Sequence, residues 1–369
     1  MNTIIKFVKN ETVLVIAWVL AIASMFIIPP DGEYASYIDM YTLILLFCLM
    51  LVMAGFREQG IFINAGNKLL SGVHTSKQLE AVLVFLPFFS SMFITNDVAL
   101  ITFVPFAIEI LRMANLEKRV VFVVTMQTIA ANLGSILLPI GNPQNIYLYS
   151  FGGYSFGDFV GVMLPYAVVS LILISVVIAT QRTNSNISVK NCGDIKGDVG
   201  KIIVYAIIFV LSLCTVAKLI SAYLLLAVTV AMVLIFDCKI IKKADYSLLL
   251  TFIGFFIFVG NTGRISQISE LIKSVFEGNE FIISAIISQV ISNVPAALLL
   301  SGFTTNTDAL LTGVNIGGLG TLIASMASLI SYKYICAECV DLKKKYFAYF
   351  TKMNIIFLII LIVFCFILK

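Results

Sequence analysis

Apolar segments long enough to cross a membrane recur along the chain, and two of them are interrupted half-way by polar residues. The first interruption lies in FITNDVAL, residues 93–100, where Thr95, Asn96 and Asp97 sit between flanks reading VFLPFF and ALITFVPFAI. The second lies in VISNVPAALL, residues 290–299, where Ser292 and Asn293 are followed at once by Val294 and Pro295. Polar side chains at that depth are costly unless they face a wet cavity lined by protein. One such break in each half of a chain is the pattern of a transporter site set between inverted repeats.

The same pattern predicts the other elements. Apolar runs at 12–29 and 38–56 read as spanning helices, each near the roughly 20 residues a bilayer requires. Residues 57–78 are too polar to cross and read as a short interfacial helix carrying a solvated His74. Residues 79–111 form two apolar arms meeting at Thr95-Asn96-Asp97; each is short for a span, so they read as a re-entrant hairpin. The segment 119–150 is broken by Gly134, Pro139, Gly141 and Pro143, which free backbone groups that only a cavity tolerates in mid-membrane. A helix at 157–180 closes a first repeat, residues 1–180, and 181–200 is a mixed-charge linker expected in the cytoplasm. The run 201–236 splits near Lys218 into an extra crossing at 201–217 and the first helix of a second repeat, 218–369. That repeat continues with a helix at 247–262, an amphipathic stretch at 263–279, a hairpin at 280–303, a broken helix at 308–335 and a last helix at 346–368.

The halves align by hand. NLGSILLPIGNPQN (132–145) lies over NIGGLGTLIASMAS (315–328), matching Asn132 to Asn315 and Gly134 to Gly317; Ser91–Asn96 falls on Ser288–Asn293, and Gly55 on Gly260. A re-entrant hairpin adds no crossing, so the extra helix inverts the second repeat. The fold expected is an all-α polytopic membrane protein with about nine crossings and two opposed hairpins, its termini on opposite sides. Charge sets the orientation, because Lys and Arg favour the cytoplasmic side. With the N-terminus cytoplasmic, only Lys218, Arg264, Lys273 and Lys369 of the 24 basic residues fall outside, and the outer loop at 30–37 carries Asp31 and Glu33.

Composition agrees. Of the 369 residues 60% are hydrophobic and 12% charged, with mean hydropathy +1.05, which places the chain in a membrane. The unbroken apolar runs exclude alternating barrel strands. The first run lacks a small-residue cleavage site and reads as a helix that is kept. The cysteines read as packing residues; Cys336 and Cys339 form a CxxC with no second pair beside it. No phosphate-cradling GxxxxGK[ST] stretch occurs, and no nucleic-acid partner is expected.

Chemistry concentrates at the interruptions. Asparagine offers donors and an acceptor, so a tip asparagine can touch anion and cation alike, or simply close the hairpin. Within a broken helix, N-termini present bare N–H groups to an anion and C-termini present carbonyls to a cation. Asn142 and Ser325 stand where such ends would be, either binding or capping; the glycines at 134, 141, 317, 318 and 320 permit the breaks. Glu109 and Arg112, three apart, read as a snorkelling interfacial pair. Asp97 has no nucleophile, base or second carboxylate at its depth, so an intramembrane enzyme is not expected.

ITNDVALITFVPFAI, LPIGNPQN, ISNVPAAL and NIGGLGTLIASMAS together resemble the ion transporter superfamily, over nearly the whole chain. That superfamily includes divalent anion–sodium symporters, citrate transporter-like permeases, and relatives of arsenite pumps and sodium–proton antiporters. Its symporters carry Ser-Asn-Thr at each hairpin tip, matched here by Thr95-Asn96-Asp97 and Ser292-Asn293-Val294. Its Gly-(Ser/Thr)-Pro-Pro-Asn loop is matched by Gly141-Asn142-Pro143-Gln144-Asn145, and the second-half loop by Ala324-Ser325-Met326-Ala327-Ser328. The resemblance implies a substrate site of Thr95, Asn96, Asp97, Gly141, Asn142, Pro143, Ser292, Asn293, Val294 and Ser325. It implies coupling-ion contacts from Ser91, Asn96, Asp97, Asn132, Gly134, Ser288, Asn293, Asn315 and Gly317, the ion being Na⁺ or H⁺ and no cofactor being required. It also implies a scaffold homodimer.

The function expected is therefore ion-coupled secondary transport of a small organic or inorganic anion across the inner (cell) membrane by alternating access. Asp97 and Val294 stand where the symporters have threonine. A fixed carboxylate repels an anion unless it is protonated or holds a cation, so a cation–proton antiporter or arsenite-type exporter is the alternative. A channel would not need two opposed hairpins.

Overall fold

The structure is a computed structural model describing residues 11–368, apart from 71, 182–184, 188–194, 266–269 and 271–272. Parts of the 181–200 linker and of the 263–279 stretch, and Lys369 from the charge argument, therefore lie outside the described residues. The described residues form an all-α polytopic membrane protein; their one β feature is an isolated bridge between Thr75 and Asn186. Among the described residues five helices are long and apolar enough to cross a membrane, from Met40–Glu58 to Val340–Leu368.

In chain order the first half contains α1 (Thr12–Met25), α2 (Met40–Glu58), α3 (Ile61–Leu70), α4 (Ser76–Phe93), α5 (Asn96–Met113), α6 (Val120–Gly134), α7 (Pro143–Phe151) and α8 (Phe156–Ala179). Then come α9 (Val199–Val216), α10 (Ala222–Phe236), α11 (Tyr246–Gly263), α12 (Glu280–Ile291), α13 (Asn293–Ser301), α14 (Thr307–Gly317), α15 (Met326–Glu338) and α16 (Lys343–Leu368). Helices α4 and α5 are the arms of one hairpin and α12 and α13 those of another; α6–α7 and α14–α15 are the two broken helices. Helix α1 stops at Met25, short of residue 29, because Pro29-Pro30 bars helical backbone just before it and Ile27 and Ile28 both turn back onto the Ser24 carbonyl.

Local chemistry places the boundaries. A capping box of Thr75 and Gln78 opens α4, Ser155 with Asp158 opens α8, and Asp39 and Asp245 cap α2 and α11. In each half the first hairpin arm packs against the first part of the broken helix through a glycine. A Cβ on Gly134 would strike the Phe88 carbonyl and the Ser91 hydroxyl, and one on Gly317 would meet Ala285 and Ser288 at 2.8–2.9 Å. These contacts recur at the same spacing in both halves, and only glycine allows them.

Polar pairs gather at the two ends of the bundle. At one end Arg119 grips the fully buried Glu80 through both carboxylate oxygens, at 2.5 and 2.9 Å, and also donates to Gln181. Lys243 pairs there with Glu58, and Lys201 with Asp237 at 3.0 Å. Arg112 bridges to Glu338 at 3.2 Å, which corrects the expected pairing with Glu109. The end of α15 lies beside Arg112, and a cross-helix carboxylate is the nearer partner. At the opposite end Arg264 binds Asp31 at 2.7 Å and holds its carboxyl below the usual range. Tyr154 donates to Asp308 at 2.5 Å and accepts, through its backbone carbonyl, from Lys218.

Candidate functional site

The two hairpin tips repeat one local design. At the first, the turn at Ile94-Thr95 leads into α5, and Asn96 Oδ1 accepts from the Asp97 N–H at 2.9 Å. At the second, Ser292 adopts φ +77°, and Asn293 Oδ1 accepts from the Val294 N–H at 3.0 Å. The Asn293 N–H donates to the Ala324 carbonyl at 2.9 Å, tying this tip to the loop before α15. Both asparagines are buried, so the groups they do not use on their own helices must find partners nearby.

Those partners lie in the broken helices, and the halves exchange them. Asn96 Nδ2 donates to Asn132 Oδ1 at 2.9 Å, and the same oxygen accepts from Ser325 Oγ of the second half at 3.0 Å. In return, Asn315 Oδ1 accepts from Asn142 Nδ2 at 3.2 Å and from Gln144 Nε2 at 3.3 Å, both of the first half. Asn315 Nδ2 donates to Asn145 Oδ1 at 2.7 Å and to the Leu311 carbonyl at 2.9 Å. The bond to a carbonyl fixes which way the Asn315 amide points, so its oxygen must face Gln144. Gln144 therefore turns its own nitrogen toward Asn315 and its oxygen away. Asn142 also caps α7, accepting from the Asn145 N–H at 3.0 Å, while Ser325 starts α15 without a capping bond of its own.

A small cavity separates the tips, lined by Asn96, Asp97, Gln144, Asn293, Val294 and Ser325, with Pro143, Leu248 and Met326 completing it. No Lys, Arg or His lines it. Asp97, Pro143 and Leu248 also border a larger cavity of about 180 Å³ that runs between α2, α5 and α7 past Leu49 and Met53. Arg57, Lys243 and Asp245 stand along it, at the end of the bundle where Lys243 pairs with Glu58. From the opposite end a cavity of about 400 Å³ stops at Tyr147 and Ser301, whose hydroxyls are bonded at 2.7 Å, with the Phe256 ring against Tyr147. This second cavity shares no lining residue with the space between the tips. The space between the tips thus borders the cavity of the Arg57–Lys243 end through Asp97, Pro143 and Leu248, and has no lining residue in common with the cavity of the other end.

Two buried acceptors on this path have no donor: Asp97 Oδ1 and Gln144 Oε1. Of the residues singled out in the sequence, Asn96, Asp97, Pro143, Asn293, Val294 and Ser325 line the inter-tip cavity, and Thr95 lines the larger one. Asn132, Asn142 and Asn315 form the exchanged network behind it. Ser91 and Ser288 spend their hydroxyls on carbonyls of their own helices, at 3.0 and 2.7 Å. Gly134 and Gly317 serve the close packing described above, Gly141 turns tightly over the Ser135 carbonyl, and Ser292 braces the second tip at Ala324. Sequence reasoning passed over Gln144 and Asn145. The signal was present in Gln144, an amide where the symporter loop has its second proline.

The sequence model described as "Citrate transporter" matches residues 3–311. An uncharacterized transporter of Methanocaldococcus jannaschii is 34% identical over 308 residues, 82% of each chain. The inner membrane protein YbiR of Escherichia coli is 29% identical over 323 residues, 84% of each chain. The silicon efflux transporter LSI3 of rice is 32% identical over 139 residues, 38% of this chain and 28% of its own.

Proposed function

The chain belongs to the citrate transporter family, and from that premise we propose that this multi-pass secondary permease binds a small anionic solute beside its two hairpin tips. The observation that carries the reading is the exchange of partners by Asn132 and Asn315, next to a space between the tips that borders the cavity of the Arg57–Lys243 end. Such a passage is the geometry of one state in alternating access, with the outer side sealed at Tyr147–Ser301. Arg57 and Lys243 stand along the open cavity as the cations an entering anion would meet, beside Asp97 and Asp245. Carboxylates of the kind named in the family's description suit that approach.

The rest of the reading follows from the charge asymmetry and the paired helices. The end bearing Arg57, Lys243 and Arg112 faces the cytoplasm, which makes this an inward-open state. Residues 1–180 and 218–369 are inverted repeats joined through 181–200 and 201–217, giving nine crossings with the N-terminus cytoplasmic and the C-terminus outside. An inner-membrane location accords with the name of the Escherichia coli relative. Dimerisation through the scaffold helices is part of the same proposal. Asp97 couples transport to Na⁺ or H⁺. A second reading, an antiporter or arsenite-type exporter, is favoured by one observation: the space between the tips, which Asp97 lines, has no basic side chain of its own.

Uptake in proteoliposomes tests the site. Asn96→Ala and Asn293→Ala should each abolish solute flux while membrane expression stays near wild type. Wild-type rates in both would remove the tips from the site, and current without saturable counter-flow would mark a channel.

A further inference from the structure

One face of α2 changes character along its length. Leu46, Leu49, Met50 and Met53 recur at helical spacing and Arg57 follows one turn later, and all five line the larger cavity. Apart from Arg57, Thr95, Asp97, Lys243 and Asp245, every side chain lining that cavity is apolar. Lys243 is engaged by Glu58, whereas among the described residues Arg57 pairs with no carboxylate. An entering anion therefore meets one unmatched cation, and two aspartates stand along the same walls. A second carboxylate on the solute would face those aspartates or hydrocarbon, and a desolvated charge without a partner is costly. The cavity volume of about 180 Å³ equals the liquid share of about six water molecules.

We propose that the solute is a monoanion with an apolar body, a monocarboxylate of about six carbons that sets its carboxylate on Arg57 and its hydrocarbon along Met53, Met50 and Leu49. This rests on the reading of the protein as a permease with its site beside the tips, and it narrows the carboxylates of that reading to those with a single charge. The Arg57 guanidinium can grip one carboxylate through two parallel N–H bonds. The flexible thioethers of Met50 and Met53 adapt to straight or ring-shaped bodies. Hydrocarbon at the Thr95–Asp97 end brings no second charge against the Asp97 carboxyl.

The test is thermal unfolding of the purified full-length protein in detergent, because a ligand of the folded state raises Tm. Butyrate, hexanoate, benzoate, glutarate and citrate are added as sodium salts at fixed Na⁺ concentration and ionic strength. Hexanoate and benzoate should raise Tm saturably. Hexanoate should half-saturate at a concentration at least about fivefold below butyrate, since one fully buried methylene is worth about fourfold. Glutarate and citrate should need at least about tenfold more. Arg57→Gln should lose the response, which also separates binding from partition into the micelle, and Arg57→Lys should keep part of it. Met50→Gln, similar in length and polar, should erase the advantage of hexanoate over butyrate. Citrate or glutarate half-saturating below hexanoate overturns the proposal, as does a Tm indifferent to both hexanoate and benzoate, or an Arg57→Gln protein responding like wild type. Uptake separates this result from the transport reading. Flux of citrate or glutarate without a hexanoate shift removes only the apolar body, and a hexanoate shift with wild-type flux in Asn96→Ala and Asn293→Ala removes only the tips as the transport site.

Discussion

Asn142 and Asn315, 173 positions apart, are joined amide to amide at 3.2 Å in the middle of the bundle. Ser325 and Asn132, 193 positions apart, make the corresponding bond at 3.0 Å. Each broken helix is thus completed by the loop of the other, and the space between the tips is framed by groups that neither half could position alone.

Asn315→Ala removes the shared acceptor of Asn142 and Gln144 and the donor to Asn145. Each buried group left unpaired costs about 1–3 kcal/mol. The variant should show a lower Tm in detergent and a large loss of uptake. Ser325→Ala, which removes one hydroxyl donor from Asn132, should lose less stability and be measured beside it.

Asp97→Asn should keep measurable solute binding and lose the dependence of uptake on Na⁺ or pH, because the amide cannot exchange a proton or a cation at that point. Uptake under imposed ΔpH and Na⁺ gradients, wild type beside variant, is the measurement. Unchanged gradient dependence would return Asp97 to the role of a helix-end residue.

Asn115 and Thr305 are both exposed, on loops at opposite ends of the bundle. A cysteine at Thr305 should react with an impermeant maleimide from outside intact cells, and one at Asn115 should react only after permeabilisation. Equal external labelling would reject opposed hairpins.

Arg119→Leu leaves Glu80 buried with no counter-charge at the base of the first hairpin. Breaking a buried pair from one side costs about 3–5 kcal/mol, so a marked fall in Tm is expected. Adding Glu80→Leu to the same protein should recover much of it, because two apolar side chains leave nothing uncompensated.

Tyr147→Phe removes the bond to Ser301 and keeps the ring against Phe256. One net hydrogen bond is worth about 1 kcal/mol, which is roughly a fivefold change in an equilibrium. External labelling of a cysteine at Val294 should quicken by about that factor if this bond helps seal the outer side.

Much of this architecture was legible in the sequence, because membrane spans, glycine–proline breaks and mid-membrane polar residues are local signals. FITNDVAL and VISNVPAALL located both tips, and the match of Asn132 with Asn315 located both broken helices. What stayed hidden was pairing at a distance. Arg112 has a carboxylate three residues before it, and nothing local says that Glu338, 226 positions on, is the partner. Gln144 reads as one more loop amide until Asn315 is seen to dictate its orientation. Ser91 and Ser288 read as ion ligands by position; their hydroxyls donate to helix carbonyls, which leaves their oxygen lone pairs uncommitted. The choice between a satisfied hydroxyl and a free one is made by rotamers, which a sequence pattern does not specify.

The exchanged bonds bear on how such a chain could arise and be divided. A fragment ending in the 181–200 segment would carry Asn132 and Asn142 without the serine and the asparagine that complete them, and the remaining fragment would carry the complementary deficit. Each piece alone leaves these buried amides without their partners, and the other piece supplies them. Two copies of an ancestral half inserted in opposite senses could have met this need mutually before fusion. Today the two pieces, co-expressed as separate polypeptides, should recover activity that neither has when produced alone.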